Sequence, residues 1–226
     1  MAAVPGGRGL ELLSLRPWCA LPTPTDNGKT WTFTLKDGIK WENGDPVTAE
    51  EVAFGIKRSF DSENFPTGPG SSYSNPYFDG GDKYTGPYSA SEDFPAVTTS
   101  GNTITLKMST PFSEMDYYAM FPAIGPVPLG KTSNPPNYGL HPQSTGPYKI
   151  ESFRPNQELV LVKNDQWDPN TDAARHQYVD KYTFKFDQDP ATTDQIVMSD
   201  NADSATTIST ALLGSDFQSA SSKMGD

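Results

Sequence analysis

Polar and apolar residues alternate strictly along residues 30–35, which is the pattern of a strand with one buried face. The apolar positions on that face are Trp31, Phe33 and Leu35. Asp37 and Gly38 then favour a tight two-residue turn, and the alternation resumes at Ile39 and Trp41. Residues 30–41 therefore predict a β-hairpin.

The pattern changes to a helical period directly after this hairpin. Thr48 is a favourable N-cap, and Glu51 lies three residues later, where its side chain can complete a capping box. Lys57 and Arg58 fall in the last turn, where the helix dipole favours cations. The apolar residues that share one stripe are Val52, Ile56 and Phe60. We expect a helix that ends at about residue 60.

Further alternation predicts most of the remaining strands. Residues 97–108 predict a second hairpin, and residues 146–153 and 158–163 predict an antiparallel pair. Residues 181–187 predict a single strand. The side chains expected to point inward from it are Tyr182, Phe184 and Phe186.

Two short helices and two irregular segments complete the prediction. Ser113 predicts the capped start of a helix that ends near residue 122. Asp189, followed by a proline, predicts a helix that ends at about residue 199. Residues 1–29 are expected to form an irregular leader, and the chain after residue 200 is expected to be frayed.

Composition excludes several classes of function. The 226 residues carry 28 acidic and 17 basic side chains, a net charge of −11, so the clustered basic charge that binds nucleic acid is missing. No run of about 18 apolar residues predicts a transmembrane helix. Cys19 is the only cysteine, which excludes an intramolecular disulfide. We expect an incidental thiol rather than a lipid-bearing one, because Arg16 and Trp18 stand where a lipid-modified signal peptide needs small residues.

Patterns typical of catalytic or metal sites are incomplete in this chain. Residues 168–172 match the first ligand positions of a calcium loop, but Ala173 and Val179 occupy the positions that need Gly and Glu. We therefore expect a solvated turn there, no metal and no cofactor. The residues considered for catalysis and set aside are His141, His176, Asp187 and Asp189.

Two blocks of sequence resemble a known family. The first comprises WTFTLKDG at residues 31–38, Trp41, Asn43-Gly44 and PVTAEEVAF at residues 46–54. The second comprises STGPYKI at residues 144–150, LVLVKND at residues 159–165 and WDP at residues 167–169. Together they resemble the family 5 extracellular solute-binding proteins, which are the oligopeptide- and dipeptide-binding subunits of ABC importers. The resemblance covers roughly residues 26–200.

The resemblance implies a fold and a domain organisation. The fold is mixed α/β, part of a type II periplasmic-binding-protein-like fold. Residues 30–136 correspond to the inserted hairpin and helix subdomain of lobe one, and residues 137–200 to part of its main sheet. Residues 1–29 and 201–226 stand outside as leader and tail. Because family members are more than twice this length, we expect a truncated chain that covers the middle of lobe one.

The resemblance also implies a ligand site. Residues 61–91 form a long loop rich in Gly, Pro, Ser and Tyr, and in the family the loop after the first helix approaches the ligand cleft. Tyrosine suits such a site because it pairs a rigid apolar ring with a hydrogen-bonding hydroxyl. A self-packed surface loop is the alternative interpretation. The predicted ligand-binding residues are Tyr73, Asn75, Tyr77, Thr145 and Gly146.

The function implied is capture of peptides or similar small solutes outside the cytoplasm and delivery to ABC permease subunits, without catalysis. The partners expected are the ligand and the permease, and the chain is expected to be a monomer that binds no nucleic acid. Nickel chelates, haem and oligosaccharides are other ligands used in the family. A secreted protein- or sugar-binding module is the alternative function.

Overall fold

A computed structural model describes residues 18–68, 70, 76–129, 135–172, 174–199 and 212–222. The chain divides into two compact units. The first comprises Met1–Glu151 and Leu161–Tyr182, and the second comprises Ser152–Val160 and Thr183–Asp226. Among the described residues, no helix combines the length and the apolar character needed to cross a membrane.

The first unit is built on a four-stranded antiparallel sheet with the order β1-β2-β4-β3. The strands are β1 (Thr23–Thr25), β2 (Thr30–Thr34), β3 (Val97–Ser100) and β4 (Thr103–Lys107). Trp31 pairs with Leu106 and Phe33 pairs with Ile104, and all four side chains are buried. The predicted alternation of β2 and the predicted second hairpin are therefore confirmed.

The predicted first hairpin is wrong. Gly38 has a φ of +84° and supplies a turn, but the chain beyond it does not return to β2. Lys40 forms an isolated bridge with Pro46, and Val47 N donates to Ile39 O. The reason is that β1 and β4 already occupy the two edges of β2, so no hydrogen-bonding edge remains for residues 39–41.

Helix α1 (Ala49–Arg58) follows as predicted. Glu51 N donates to Thr48 Oγ1 and Thr48 N donates to Glu51 Oε2, so the capping box is confirmed. The predicted stripe Val52, Ile56 and Phe60 is at most 1% exposed. The ring of Phe60 packs edge-on against Phe78, Tyr84 and Phe94. The core of this unit thus lies between α1, the sheet and the aromatic residues of the following loop.

The chain before residue 30 is more ordered than the sequence predicts. Trp18 and Cys19 are buried, and the backbone of Cys19 forms an isolated antiparallel β-bridge with that of Leu35. β1 pairs with β2, and a 3-10 turn at Asp26–Gly28 connects the two strands. The predicted irregular leader is therefore wrong for residues 18–29. The sequence does not reveal β1, because a strand of three residues is too short to show an alternation of polar and apolar side chains. Its central residue is also a proline, which is uncommon inside strands.

Two very short helices follow the second hairpin: α2 (Met115–Tyr118) and α3 (Pro135–Tyr138). The existence of α2 agrees with the prediction, but its N-cap residue is Glu114, which makes no side-chain capping bond. The predicted Ser113 cap is therefore wrong.

The remaining strands form a three-stranded sheet with the order β5-β6-β7. These strands are β5 (Tyr148–Arg154), β6 (Glu158–Lys163) and β7 (Lys181–Lys185). The strand positions are as predicted, but the inward orientation of the β7 aromatic residues is wrong. Tyr182, Phe184 and Phe186 are exposed at 38%, 45% and 36%. Alternation shows which residues share a face, but not whether another layer covers that face.

Helices α4 (Pro190–Met198) and α5 (Phe217–Ser221) belong to the second unit. Asp189 caps α4 by accepting from Thr192 N, as the sequence predicts. Residues 217–221 are helical, so the predicted frayed tail is wrong for that segment. Residues 200–211 and 223–226 lie outside the described residues.

Candidate ligand-binding site

Tyr77 is the one predicted ligand residue of the tyrosine-rich loop that lies within the described structure, and it is held by an aromatic cluster. Its ring stacks on Phe112 with centroids 4.7 Å apart, and Tyr118 meets both rings edge-on. Tyr118 Oη donates to Tyr77 Oη at 3.2 Å. Ser109 N and Oγ both donate to the carbonyl oxygen of Tyr77. The side chain is therefore half-buried and fixed, with its hydroxyl in a hydrogen-bonded pair.

Two other tyrosines of the loop also pack inward. The ring of Tyr84 lies parallel to Phe94 with centroids 4.2 Å apart, and its hydroxyl donates to Ser91 O. Burial raises the pKa of the Tyr84 hydroxyl, and the nearby charge of Glu92 raises it further. Tyr88 meets the ring of Phe54 edge-on at 6.0 Å. Tyr84 and Tyr88 therefore pack against other residues of the chain, as the alternative interpretation of a self-packed surface loop expects. Tyr73 and Asn75 lie outside the described residues.

Thr145 and Gly146 lie in a segment that backbone hydrogen bonds tie to the turn after β2. Glu42 N donates to Ser144 O, and Ser144 N donates to Glu42 Oε2, each at 2.9 Å. Ser144 Oγ accepts from Gly146 N and donates to Tyr148 O. Thr145 is half-buried between two residues that are fixed in this way. The predicted residues Thr145 and Gly146 therefore occupy a braced loop at the start of β5.

A buried amide completes this brace. Asn164 is fully buried, and its Nδ2 donates to Gly146 O at 2.9 Å. Gln177 Nε2 donates both to Asn164 O and to Pro147 O. The sequence reasoning did not assign these supporting roles to Ser144, Asn164 or Gln177. The available signal was Asn164 itself, an uncharged polar residue directly after the end of β6.

The incomplete calcium pattern forms a capped turn. Asp168 Oδ1 accepts from Asn170 N at the start of the 3-10 turn Pro169–Thr171. Asp172 is only 4% exposed, so it is not part of a solvated turn as expected. Its carboxylate accepts from Arg175 Nε and from Trp167 Nε1. Within the described ranges, no three His, Cys, Asp or Glu side chains form a metal-binding group.

An open depression of about 520 Å³ lies at the β1 edge of the first sheet. Its lining is Pro24, Thr25, Asn27, Gly28, Trp31, Pro111 and Ser113. The indole nitrogen of Trp31 donates to Gly28 O and to Phe112 O, so it offers no hydrogen bond to a ligand. The depression contains none of the residues predicted to bind ligand.

Comparison with protein families assigns the chain. The model described as bacterial extracellular solute-binding proteins, family 5 Middle, matches residues 14–222. The chain belongs to this family. The match begins earlier and ends later than the stretch of residues 26–200 that shows the resemblance by sequence motif alone, so it extends into both segments expected to be leader and tail.

Individual relatives agree with this assignment. The oligopeptide-binding protein OppA of Bacillus subtilis is 29% identical over 147 residues, which cover 63% of this chain and 26% of the relative. The nickel-binding periplasmic protein of Escherichia coli is 30% identical over 182 residues, which cover 79% of this chain and 30% of the relative. The chain spans between a quarter and a third of the length of these relatives.

Solved structures confirm the fold. The clavulanic acid biosynthesis oligopeptide binding protein 2 superposes with a TM-score of 0.79 at 28% identity, over 90% of this chain and 36% of that protein. Listeria monocytogenes OppA bound to peptide gives a TM-score of 0.67 at 20% identity, over 82% of this chain and 36% of that protein. The mixed α/β fold expected from the sequence, part of a family 5 binding-protein fold, is confirmed.

Proposed function

We propose that this chain supplies part of the substrate-binding component of an ABC importer, which captures peptides or similar small solutes. The observation that carries the proposal is the family match over residues 14–222. Relatives named for oligopeptide binding and for nickel binding support a solute as the ligand and favour a peptide. The proposed location is outside the cytoplasm, because relatives of this family are named as periplasmic or extracellular proteins.

The proposed chemistry is binding without bond formation. A ligand backbone would be held by hydrogen bonds in the manner of an added strand, with hydrated side-chain pockets that tolerate varied ligands. Closure of two lobes around the ligand would be biased by contacts that form only in the closed state. The proposed partner is the membrane permease that receives the ligand, and the proposed state of the chain is monomeric.

The proposed ligand contacts are Tyr73, Asn75, Tyr77, Thr145 and Gly146. Support comes from the rigidity of the described members. The aromatic cluster fixes the Tyr77 ring, and the bonds to Ser144 and Asn164 fix the backbone of Gly146. Fixed contact groups bind ligands with little loss of conformational entropy. The assignments of residues 30–136 to the inserted subdomain and residues 137–200 to the main sheet are likewise proposals.

Peptide binding by these 226 residues alone is expected to be weak, with a Kd of about 1 mM or above. Most of the surface that surrounds the ligand in a two-lobed binding protein is absent from a chain that spans about a third of its relatives. Without contacts from both lobes, the closed state gains nothing over the open state.

The test is an NMR titration of the 15N-labelled chain with tri-alanine. The expected result is that the amide signals of Tyr77, Thr145 and Gly146 shift together, and that Tyr73→Ala reduces the shifts. The matched control is Tyr178→Ala, because Tyr178 is 82% exposed and lies outside the proposed site. The proposed site would be refuted if these amide signals do not shift, or if they shift equally in the unaltered chain and in Tyr73→Ala.

A further inference from the structure

The guanidinium of Arg58, in the last turn of α1, has aromatic neighbours but no acidic partner within the described part of the chain. Its Cζ lies 3.9 Å above the ring centroid of Phe65 and 5.6 Å from that of Tyr138. Its Nε atom is buried and has no hydrogen-bond partner. Each of the four ion pairs found among the described residues uses another cation. A charged donor in this state lacks the acceptor that usually offsets its loss of hydration.

The two terminal nitrogens of Arg58 differ from Nε. No hydrogen bond joins them to a described residue, yet they are not among the buried unpaired atoms, so they reach solvent. The rings of Phe65 and Tyr138 lie against the guanidinium at these distances, while the two terminal nitrogens keep their capacity to donate hydrogen bonds. A guanidinium fixed by aromatic contacts and open at its end has the geometry for two parallel hydrogen bonds to a carboxylate.

A second unpaired group lies in the same cluster. The hydroxyl of Tyr88 is buried without a partner, and its ring lies 6.3 Å from that of Phe65. Two buried polar groups whose side chains neighbour Phe65 therefore lack hydrogen-bond partners. Native structures rarely leave such groups without a hydrogen-bond partner, so this cluster is unusual for a purely structural core.

The cluster lies at the base of the proposed ligand loop. The backbone of Gly70 packs so closely on the helix end that a Cβ atom there would lie 1.4 Å from Ser59 O, the residue after Arg58. Tyr73 and Asn75 follow within five residues of Gly70. The chain has a net charge of −11, so a general attraction for anions is absent and any anion bound here depends on a local cation.

We infer that Arg58, which packs on Phe65 and lies near Tyr138, is an anion-recognition site that accepts a carboxylate of the ligand. The inference rests on the proposed function and deepens it, because it selects ligands that carry a carboxylate near the tyrosine-rich loop. Arg58 binds through its two terminal nitrogens, and the rings of Phe65 and Tyr138 set its orientation.

The test compares two probes on the intact chain: tri-alanine with a free carboxylate and tri-alanine amide. Affinities come from NMR titration, and the Nε–H signal of Arg58 is assigned by its loss in Arg58→Lys. The unaltered chain is expected to bind tri-alanine with the free carboxylate at least about tenfold more tightly than tri-alanine amide. Arg58→Gln is expected to abolish that preference, because it removes the charged donor of the proposed site. Arg58→Lys keeps the positive charge but cannot donate two parallel hydrogen bonds to one carboxylate, so it is expected to retain only part of the preference for the free carboxylate.

The matched control is Arg154→Gln, which removes the same charge from the exposed pair with Glu158 and should keep the preference. Near-UV circular dichroism establishes that each variant is folded. If both peptides bind equally, or if Arg58→Gln keeps the preference, the inference is overturned and the proposed function stands. If neither peptide binds, sodium acetate decides. An Arg58 Nε–H shift with acetate but not with sodium chloride supports the anion site alone, and no shift overturns it.

Discussion

Trp41 Nε1 donates a 3.0 Å hydrogen bond to Glu51 Oε2, the same carboxylate oxygen that accepts from Thr48 N in the capping box of α1. One side chain thus fixes both the start of the helix and the orientation of a Trp that is 2% exposed. Both residues belong to the sequence block that marks the family. This sequence motif therefore has a structural role, because its hydrogen bonds join the turn after β2 to the start of α1.

Replacing Glu51 with Ala should lower the free energy of unfolding by about 1 to 3 kcal/mol, because the buried indole N–H of Trp41 and the N-cap amide lose their acceptor together. Urea denaturation followed by tryptophan fluorescence measures the change. The matched control is Glu50→Ala, which removes an exposed charge from the same helical turn and should change stability far less. Equal effects of the two substitutions would contradict the role of the shared acceptor.

Replacing Gly55 with Ala should destabilise the chain by about 1 to 3 kcal/mol, although alanine is the better helix former. A Cβ atom at this position would lie 1.9 Å from the carbonyl oxygen of Gly125, so the backbone of one segment has to move. Gly214→Ala is the control, because nothing lies within 4 Å of a Cβ there. If thermal denaturation shows that Gly55→Ala is neutral or stabilising, then Gly55 does not pack against the carbonyl oxygen of Gly125 as closely as described.

Replacing Tyr88 with Phe should raise the free energy of unfolding by about 1 kcal/mol, because the variant removes a buried hydroxyl that has no partner and keeps the ring contacts. The contrasting variant is Tyr77→Phe, which breaks the hydroxyl pair with Tyr118 and should lower stability by about 1 kcal/mol. Chemical denaturation of both variants gives the comparison. A loss of stability in Tyr88→Phe would indicate that the hydroxyl is bonded after all.

The N-cap of α4 should contribute acid-sensitive stability. Hydrogen bonds from the backbone and side chain of Thr192 lower the pKa of Asp189 below its ordinary value of 3.8. Since the folded pKa is the lower one, the contribution is present above the unfolded value and is lost as pH falls through the folded value. NMR titration of the Asp189 carboxyl should show the lowered pKa, and Thr192→Val should bring it closer to 3.8. An Asp189 pKa at or above 3.8 in the unaltered chain would refute the cap.

Local elements were predictable from this sequence because local interactions determine them. The capping box of α1, the turn at Gly101 between β3 and β4, and the cap at Asp189 each involve residues within about four positions of one another. The choice of strand partners was not predictable in this way. β2 pairs with β4, which lies more than sixty residues further along the chain, and this distant pairing excludes the hairpin that Asp37 and Gly38 suggested.

The candidate site was predictable in part. Gly146 stands in a recognisable motif, but the residues that brace it come from distant segments, such as Glu42 through Ser144 and Gln177 through Asn164. No local pattern reports such contacts. Arg58 appeared in the sequence as a favourable charge at a helix end, and only its packing on Phe65 shows a buried nitrogen without an acceptor.

Photoaffinity labelling tests the central claim most directly. A tripeptide with a photoreactive side chain at its middle position would be irradiated with the intact chain, and the labelled residues mapped by mass spectrometry. The account predicts labels confined to residues 70–77 and 143–146, which an excess of unlabelled tripeptide removes. Labels at the depression beside Trp31, or labels that competitor does not remove, would contradict the proposal that this chain holds a peptide at the tyrosine-rich loop.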